Sequence, residues 1–191
     1  MQVIRFAELA ATPWKNGGGI TRQLLIHPPA ANLDTFTLRV SIADVDSDGP
    51  FSDFSGIDRS LGLLAGSGLT LLEHGQPLTT LQAGGELYVF DGGRAISSQR
   101  VAGKVQDFNV MTRRGCASHQ ASRLNVQMEQ TLHTAGPALL LLAEGAALQV
   151  ANSNAQQTLE RWDALWLDSS AELQLQPSGA CSLLLVTVQL P

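Results

Sequence analysis

The stretch Phe36-Thr37-Leu38-Arg39-Val40-Ser41-Ile42-Ala43 alternates apolar with more polar side chains at nearly every step. A period of two puts Phe36, Leu38, Val40 and Ile42 on one face of a strand, and Arg39 and Ser41 on the other. The same texture continues along the chain. Leu69 and Leu71 run into Gly75, and Leu87 to Phe90 is stopped by Asp91-Gly92-Gly93. Leu124, Val126 and Met128 alternate, as do Leu173 and Leu175 before Pro177-Ser178-Gly179. Turn residues return roughly every ten positions, the rhythm of an all-β sandwich or barrel. Helical candidates are short, such as Ala7 to Ala11.

The pattern also repeats. Leu64-Ala65-Gly66-Ser67-Gly68-Leu69, Thr80-Leu81 and Gly85-Glu86-Leu87 parallel Leu141-Leu142-Ala143-Glu144-Gly145-Ala146, Thr158-Leu159 and Asp163-Ala164-Leu165. Gly68 and Gly145 lie 77 positions apart, Leu81 and Leu159 78 apart. Strand, turn, strand, corner and strand at nearly constant offset predict a duplicated small barrel. The expected units are 1–115 and 116–191.

Composition narrows the function. The chain has 191 residues, 44% hydrophobic and only 15% charged, with 12 basic against 17 acidic residues and a net charge of −5. No basic stripe suits nucleic acid. The apolar runs 138–143 and 183–188 are too short to span a bilayer, and no signal peptide is expected. Cys116 and Cys181, without C-x-x-C spacing, read as small hydrophobes in a reducing cytoplasm. Low charge and β-rich edges leave room for a homodimer.

A second stretch carries the chemistry: Pro13-Trp14-Lys15-Asn16-Gly17-Gly18-Gly19-Ile20-Thr21-Arg22-Gln23. Three glycines are costly to order, and polar recognition groups surround them. The string is no phosphate loop, because Lys15 precedes the glycines, and no dinucleotide fingerprint, because Arg22 stands where a third glycine is needed. The expectation is a turn that lets backbone approach a ligand. Further on, Phe51, Phe54, Asp58 and Arg59 share a loop-to-strand segment, Asp107-Phe108-Asn109-Val110-Met111 precedes Arg113-Arg114, and Arg39 lies on a polar strand face. Guanidinium groups so placed suit carboxylate capture, although Asp58 or Asp107 could instead neutralise an arginine within the fold. His27, His74, His119 and His133 are too scattered for an imidazole metal site, so no metal and no cofactor are expected. No serine stands in a nucleophile elbow, and nothing activates Cys116 beside His119.

The hairpins and corners have the look of a cupin barrel. Pro13 to Gly19 with Thr21-Arg22, Gly49-Pro50-Phe51-Ser52 with Phe54 and Gly56, Asp58-Arg59, and Asp107 to Met111 together resemble the HutD/Ves family. Gln23 departs from the usual Glu of that family, and Phe36 from a common Trp. The resemblance implies a bicupin, with two jelly-roll barrels and no metal-binding histidines. It also implies a role in histidine utilisation, binding a small acid such as urocanate or formylglutamate rather than performing a known reaction. The expected ligand residues are Trp14, Lys15, Asn16, Arg22, Arg39, Phe51, Phe54, Asp58, Arg59, Asn109 and Met111, all in the first unit. No catalytic residue is assigned. The alternatives are a metal-free isomerase or hydrolase using Lys15, Asp58 or Asp107 as acid or base, and an interaction module without a ligand.

Overall fold

The computed structural model describes residues 1–14 and 17–190. Its regular structure is nearly all β-strand. β1 (Gln2–Ile4) and a 3-10 turn (Phe6–Glu8) precede β2 (Ala11–Pro13), β3 (Gly19–His27), β4 (Leu38–Val45) and β5 (Gly49–Pro50). Then come β6 (Ile57–Ala65), β7 (Leu69–Glu73), β8 (Gln76–Leu81), β9 (Tyr88–Asp91), β10 (Ile96–Arg100) and β11 (Val105–Arg113). The second half holds β12 (Ser118–Val126), β13 (Gln130–Thr134), β14 (Ala138–Glu144), β15 (Ala147–Ala151) and β16 (Gln156–Glu160). It ends with β17 (Ala164–Leu167), β18 (Ala171–Pro177) and β19 (Cys181–Gln189). The expected helix at Ala7–Ala11 is only the 3-10 turn, since Ala11 already pairs with Arg22 across β2 and β3. β12 stops at Val126, leaving Met128 72% exposed.

The chain forms two compact units, residues 9–118 and residues 1–8 with 119–191. The first eight residues thus belong to the C-terminal unit, not to the N-terminal half as the sequence suggested. β1 is an edge strand on β17, with Val3 opposite Leu165. Asp163 is 5% exposed and holds that segment in place. It accepts from Arg5 Nη1 at 2.6 Å and from the Phe6 backbone N–H at 3.0 Å.

Each unit pairs a large sheet with a four-stranded one. The N-terminal unit has β2-β3-β4-β11-β6-β9 and β5-β10-β7-β8. The C-terminal unit has β1-β17-β14-β19-β12 and β13-β18-β15-β16. The pairings β6–β9, β6–β11, β7–β8 and β7–β10 recur as β14–β17, β14–β19, β15–β16 and β15–β18. The duplication read in the sequence is therefore a duplication of topology. Its register is slightly different. Gly145 (φ 111°) matches Gly66 (φ 110°), not Gly68. A Cβ at either would crowd the start of the strand paired with the one it ends, Val105 of β11 at 2.7 Å or Cys181 of β19 at 2.5 Å. Bulges at Leu64 in β6 and Ala143 in β14 correspond, whereas the bulge at Leu78 in β8 has no counterpart in the β15–β16 pairing and shifts the offset by one residue.

Candidate functional site

Register places the polar residues. Odd-numbered residues of β4, β6 and β11 share one face: Ala43, Val45, Leu61, Leu63 and Val105 from it pack with Leu69, Leu71, Leu81 and Ile96 of the second sheet in the core of the N-terminal barrel. Alternation puts Arg39, Ser41, Arg59, Asp107, Asn109 and Met111 on that same inward face. They stack in rungs across the sheet. Arg39, Met111, Arg59 and Phe90 lie opposite one another on β4, β11, β6 and β9. The next rung is Ser41, Asn109, Leu61 and Tyr88, and below it Ala43, Asp107 and Leu63. So β4 is buried on both faces, because its polar face is turned into the barrel.

Arg59 is 4% exposed. Its guanidinium carbon lies 4.9, 5.1 and 5.8 Å from the ring centres of Phe90, Phe51 and Phe54. Among the described residues it has no ion-pair partner, and its Nε has no hydrogen-bond partner. Burial lowers its pKa to about 10, against the attraction of Asp107. Arg39 also has no carboxylate partner among the described residues. It donates from Nε to Gln23 Oε1 at 3.1 Å and from Nη1 to the Met111 sulfur at 3.8 Å. The buried Asn109 Oδ1 accepts no hydrogen bond. Asp107, 3% exposed, is pushed up to about 7 because burial outweighs the pull of Arg59, with Asp44 adding repulsion. Two guanidiniums against one reluctant carboxyl make this interior electropositive.

The remaining expected residues separate. Arg22 and Asp58 fall on the opposite strand faces. Arg22 pairs with Asp44 at 2.8 Å, and Asp58 with Arg114 at 3.0 Å. Neither reaches Arg59, so both expected ligand positions become framework ion pairs. Trp14 is half-buried, packs on the barrel core and donates to Thr21 Oγ1 at 2.7 Å. Lys15 and Asn16 lie outside the described residues. Part of the glycine string is structural: Gly17 has φ 71°, and a Cβ on Gly19 would collide with the Asp44 carbonyl. Phe90, Ser41 and Gln23 belong to the site but were not expected there. Phe90 was findable only through its pairing with Arg59, which the sequence does not show.

Two surface hollows of about 250 and 280 Å³ lie on this unit. Neither is lined by Arg39, Arg59, Asp107 or Asn109, although Phe51 lines the second. The polar rungs reach solvent instead at the Arg39 end, through half-buried Arg39 and exposed Gln23.

The HutD family profile matches residues 6–185. The chain belongs to the HutD family. It is 31% identical over 177 residues to an uncharacterised 21.2 kDa Pseudomonas putida protein in the hutC 3′ region, covering 91% of this chain and 90% of that one. A stretch of 115 residues is 33% identical to protein Ves of Cronobacter sakazakii, covering 60% and 61% of the two chains. The solved structure of HutD from Pseudomonas fluorescens superposes with a TM-score of 0.80 at 25% identity, covering 98% of both chains. A cupin 2 barrel protein from Leptotrichia buccalis matches at TM-score 0.65 and 10% identity, over 95% or more of each chain, and shows the cupin fold. Cupins commonly hold a metal, but the HutD-family interior described here does not fit one. Among the described residues no three His, Cys, Asp or Glu side chains converge, and two guanidiniums occupy the rungs.

Proposed function

We propose that the N-terminal barrel binds a small organic acid, its carboxylate received by Arg59 and Arg39 and oriented by Asn109. The C-terminal barrel supplies the internal control for this reading. There Leu140 faces Leu185 and Leu142 faces Leu183, in the register where Leu61 faces Asn109 and Leu63 faces Asp107. Ala138 stands where the first barrel has Arg59. The topology is thus satisfied by rungs that carry no charge and, apart from Thr187 opposite Ala138, no polar side chain: Ala138, Leu140, Leu142 and Leu183 are fully buried in one apolar cluster. Buried unpaired polar groups are costly, so a fold that can do without them keeps them for another reason. That substitution of polar for apolar rungs is the observation that carries the proposal.

The relative in the hutC 3′ region supports a role in histidine utilisation, with urocanate and N-formylglutamate as candidate ligands, and a cytoplasmic binding protein is the form that fits. No described helix is long and apolar enough to cross a membrane. A second reading rests on Asp107, whose pKa near 7 suits a general acid or base acting on the bound acid. Thermal shift with each acid tests the first reading. Ligand at 100 times its Kd adds about 2.7 kcal/mol, a rise of several degrees in Tm. Proton NMR of the same mixtures over hours tests the second: intact ligand means binding alone, and a new product means turnover. Absence of any shift with either acid counts against the proposal.

A further inference from the structure

We propose that capture of the acid at Arg59 is coupled to uptake of one proton by Asp107, so that the barrel binds its anion together with H⁺. This rests on the anion-binding reading above. Asp107 lies on the inward face of β11, four residues before Met111, the residue opposite Arg59. It is buried and, among the described residues, makes no ion pair, so none of them neutralises its charge by contact. The groups around it are few. β6 brings Leu63 opposite it and Arg59 beyond, and β4 brings Ala43 opposite it, with Asp44 next along and Arg39 further off. The second sheet contributes Leu69, Leu71, Leu81 and Ile96, all apolar. Asp44 is already held by Arg22 and by Gln106 Nε2 at 2.6 Å. Arg59 is therefore the main charge that keeps Asp107 ionised.

A carboxylate arriving at Arg59 consumes that field and adds a negative charge in the same low-dielectric interior. Two carboxylates sharing one guanidinium raise the pKa of the more buried one. Burial already lifts Asp107 to about 7 against the pull of Arg59. Filling the site pushes it further up, and the proton comes from solvent. No bond other than the new O–H on Asp107 forms. Linkage then fixes the sign. Where Asp107 is ionised in the free protein and protonated in the complex, affinity falls up to tenfold per pH unit as pH rises.

Isothermal calorimetry with N-formylglutamate tests this, because both its carboxyls are fully ionised above pH 6. Titrations at pH 7.5 in triethanolamine and in Tris, cationic buffers whose ionisation enthalpies differ, should give enthalpies that differ by the proton taken up. Kd should rise about tenfold between pH 7 and 8.5 in the native protein and stay flat in Asp107→Asn. The two-buffer comparison needs no variant, so misfolding of Asp107→Asn leaves it decisive. Binding with identical enthalpies in both buffers and no pH dependence of Kd from pH 6 to 8.5 would overturn the coupling while leaving the anion site intact. Failure to bind at pH 6 would instead remove the anion reading and the coupling with it.

Discussion

Arg59→Ala is expected to weaken acid binding by about 2–5 kcal/mol, the usual cost of deleting one partner of a buried charge pair. The guanidinium sits in an aromatic cage of Phe51, Phe54 and Phe90, where water is excluded and an arriving carboxylate is attracted strongly. Folding stability should change less. Three ring contacts are lost, each worth about 0.5–2 kcal/mol, but so is a desolvated cation without a counter-ion in contact among the described residues. Asp58→Asn is the matched control. Asp58 is adjacent in sequence but faces the other way and pairs with Arg114, so binding should be unchanged. Calorimetry beside urea denaturation separates the two effects. If Arg59→Ala unfolds the chain while its folded fraction binds acids normally, Arg59 is part of the framework.

The second large effect comes from copying one barrel into the other. The triple variant Arg59→Met, Asp107→Leu, Asn109→Leu gives the N-terminal rungs the apolar character of the C-terminal ones. Exchange of buried ionic groups for apolar residues of similar volume is often neutral or stabilising, by as much as about 1–4 kcal/mol. The variant should therefore fold at least as well as the parent and bind no acid. Its pH profile should differ as well. Folded Asp107, with its pKa near 7, keeps a proton that the unfolded chain loses near pH 4. Over that window the folded state binds more protons, so the parent loses stability as pH rises from about 4 to about 7. Without Asp107 that slope disappears. Denaturant midpoints at pH 5 and pH 7.5 for both proteins read it directly. A triple variant that is strongly destabilised at both pH values would mean the polar rungs are needed for folding.

Much of this was legible before any coordinates. The alternation around Arg39 located a strand, and the repeat located a second barrel. Arg39, Arg59, Asn109 and Met111 come together on one face because they carry one parity on three strands that pair. Parity also explains the misplaced residues. Arg22 and Asp58 have the right chemistry on the wrong face, and their partners Asp44 and Arg114 lie 22 and 56 positions away in sequence. Pairing at that distance is a property of register, which local pattern does not reveal. The bulge between Gln23 and Leu25 likewise brings Gln23 opposite Ser41 and next to Arg39. A neutral amide at that place leaves Arg39 its full charge. The N-terminal segment joins the C-terminal unit through the β1–β17 pairing and the buried carboxylate of Asp163, contacts spanning about 158 positions that no periodicity encodes.

The most direct measurement is a proton–nitrogen NMR spectrum of the arginine Nε groups, titrated with N-formylglutamate and with urocanate. The Nε signals of Arg59 and Arg39 should shift together and saturate at the Kd found by calorimetry, while those of Arg22 and Arg114, held in framework ion pairs, stay in place. Saturable binding that leaves Arg59 and Arg39 unmoved would contradict an anion site in the N-terminal barrel.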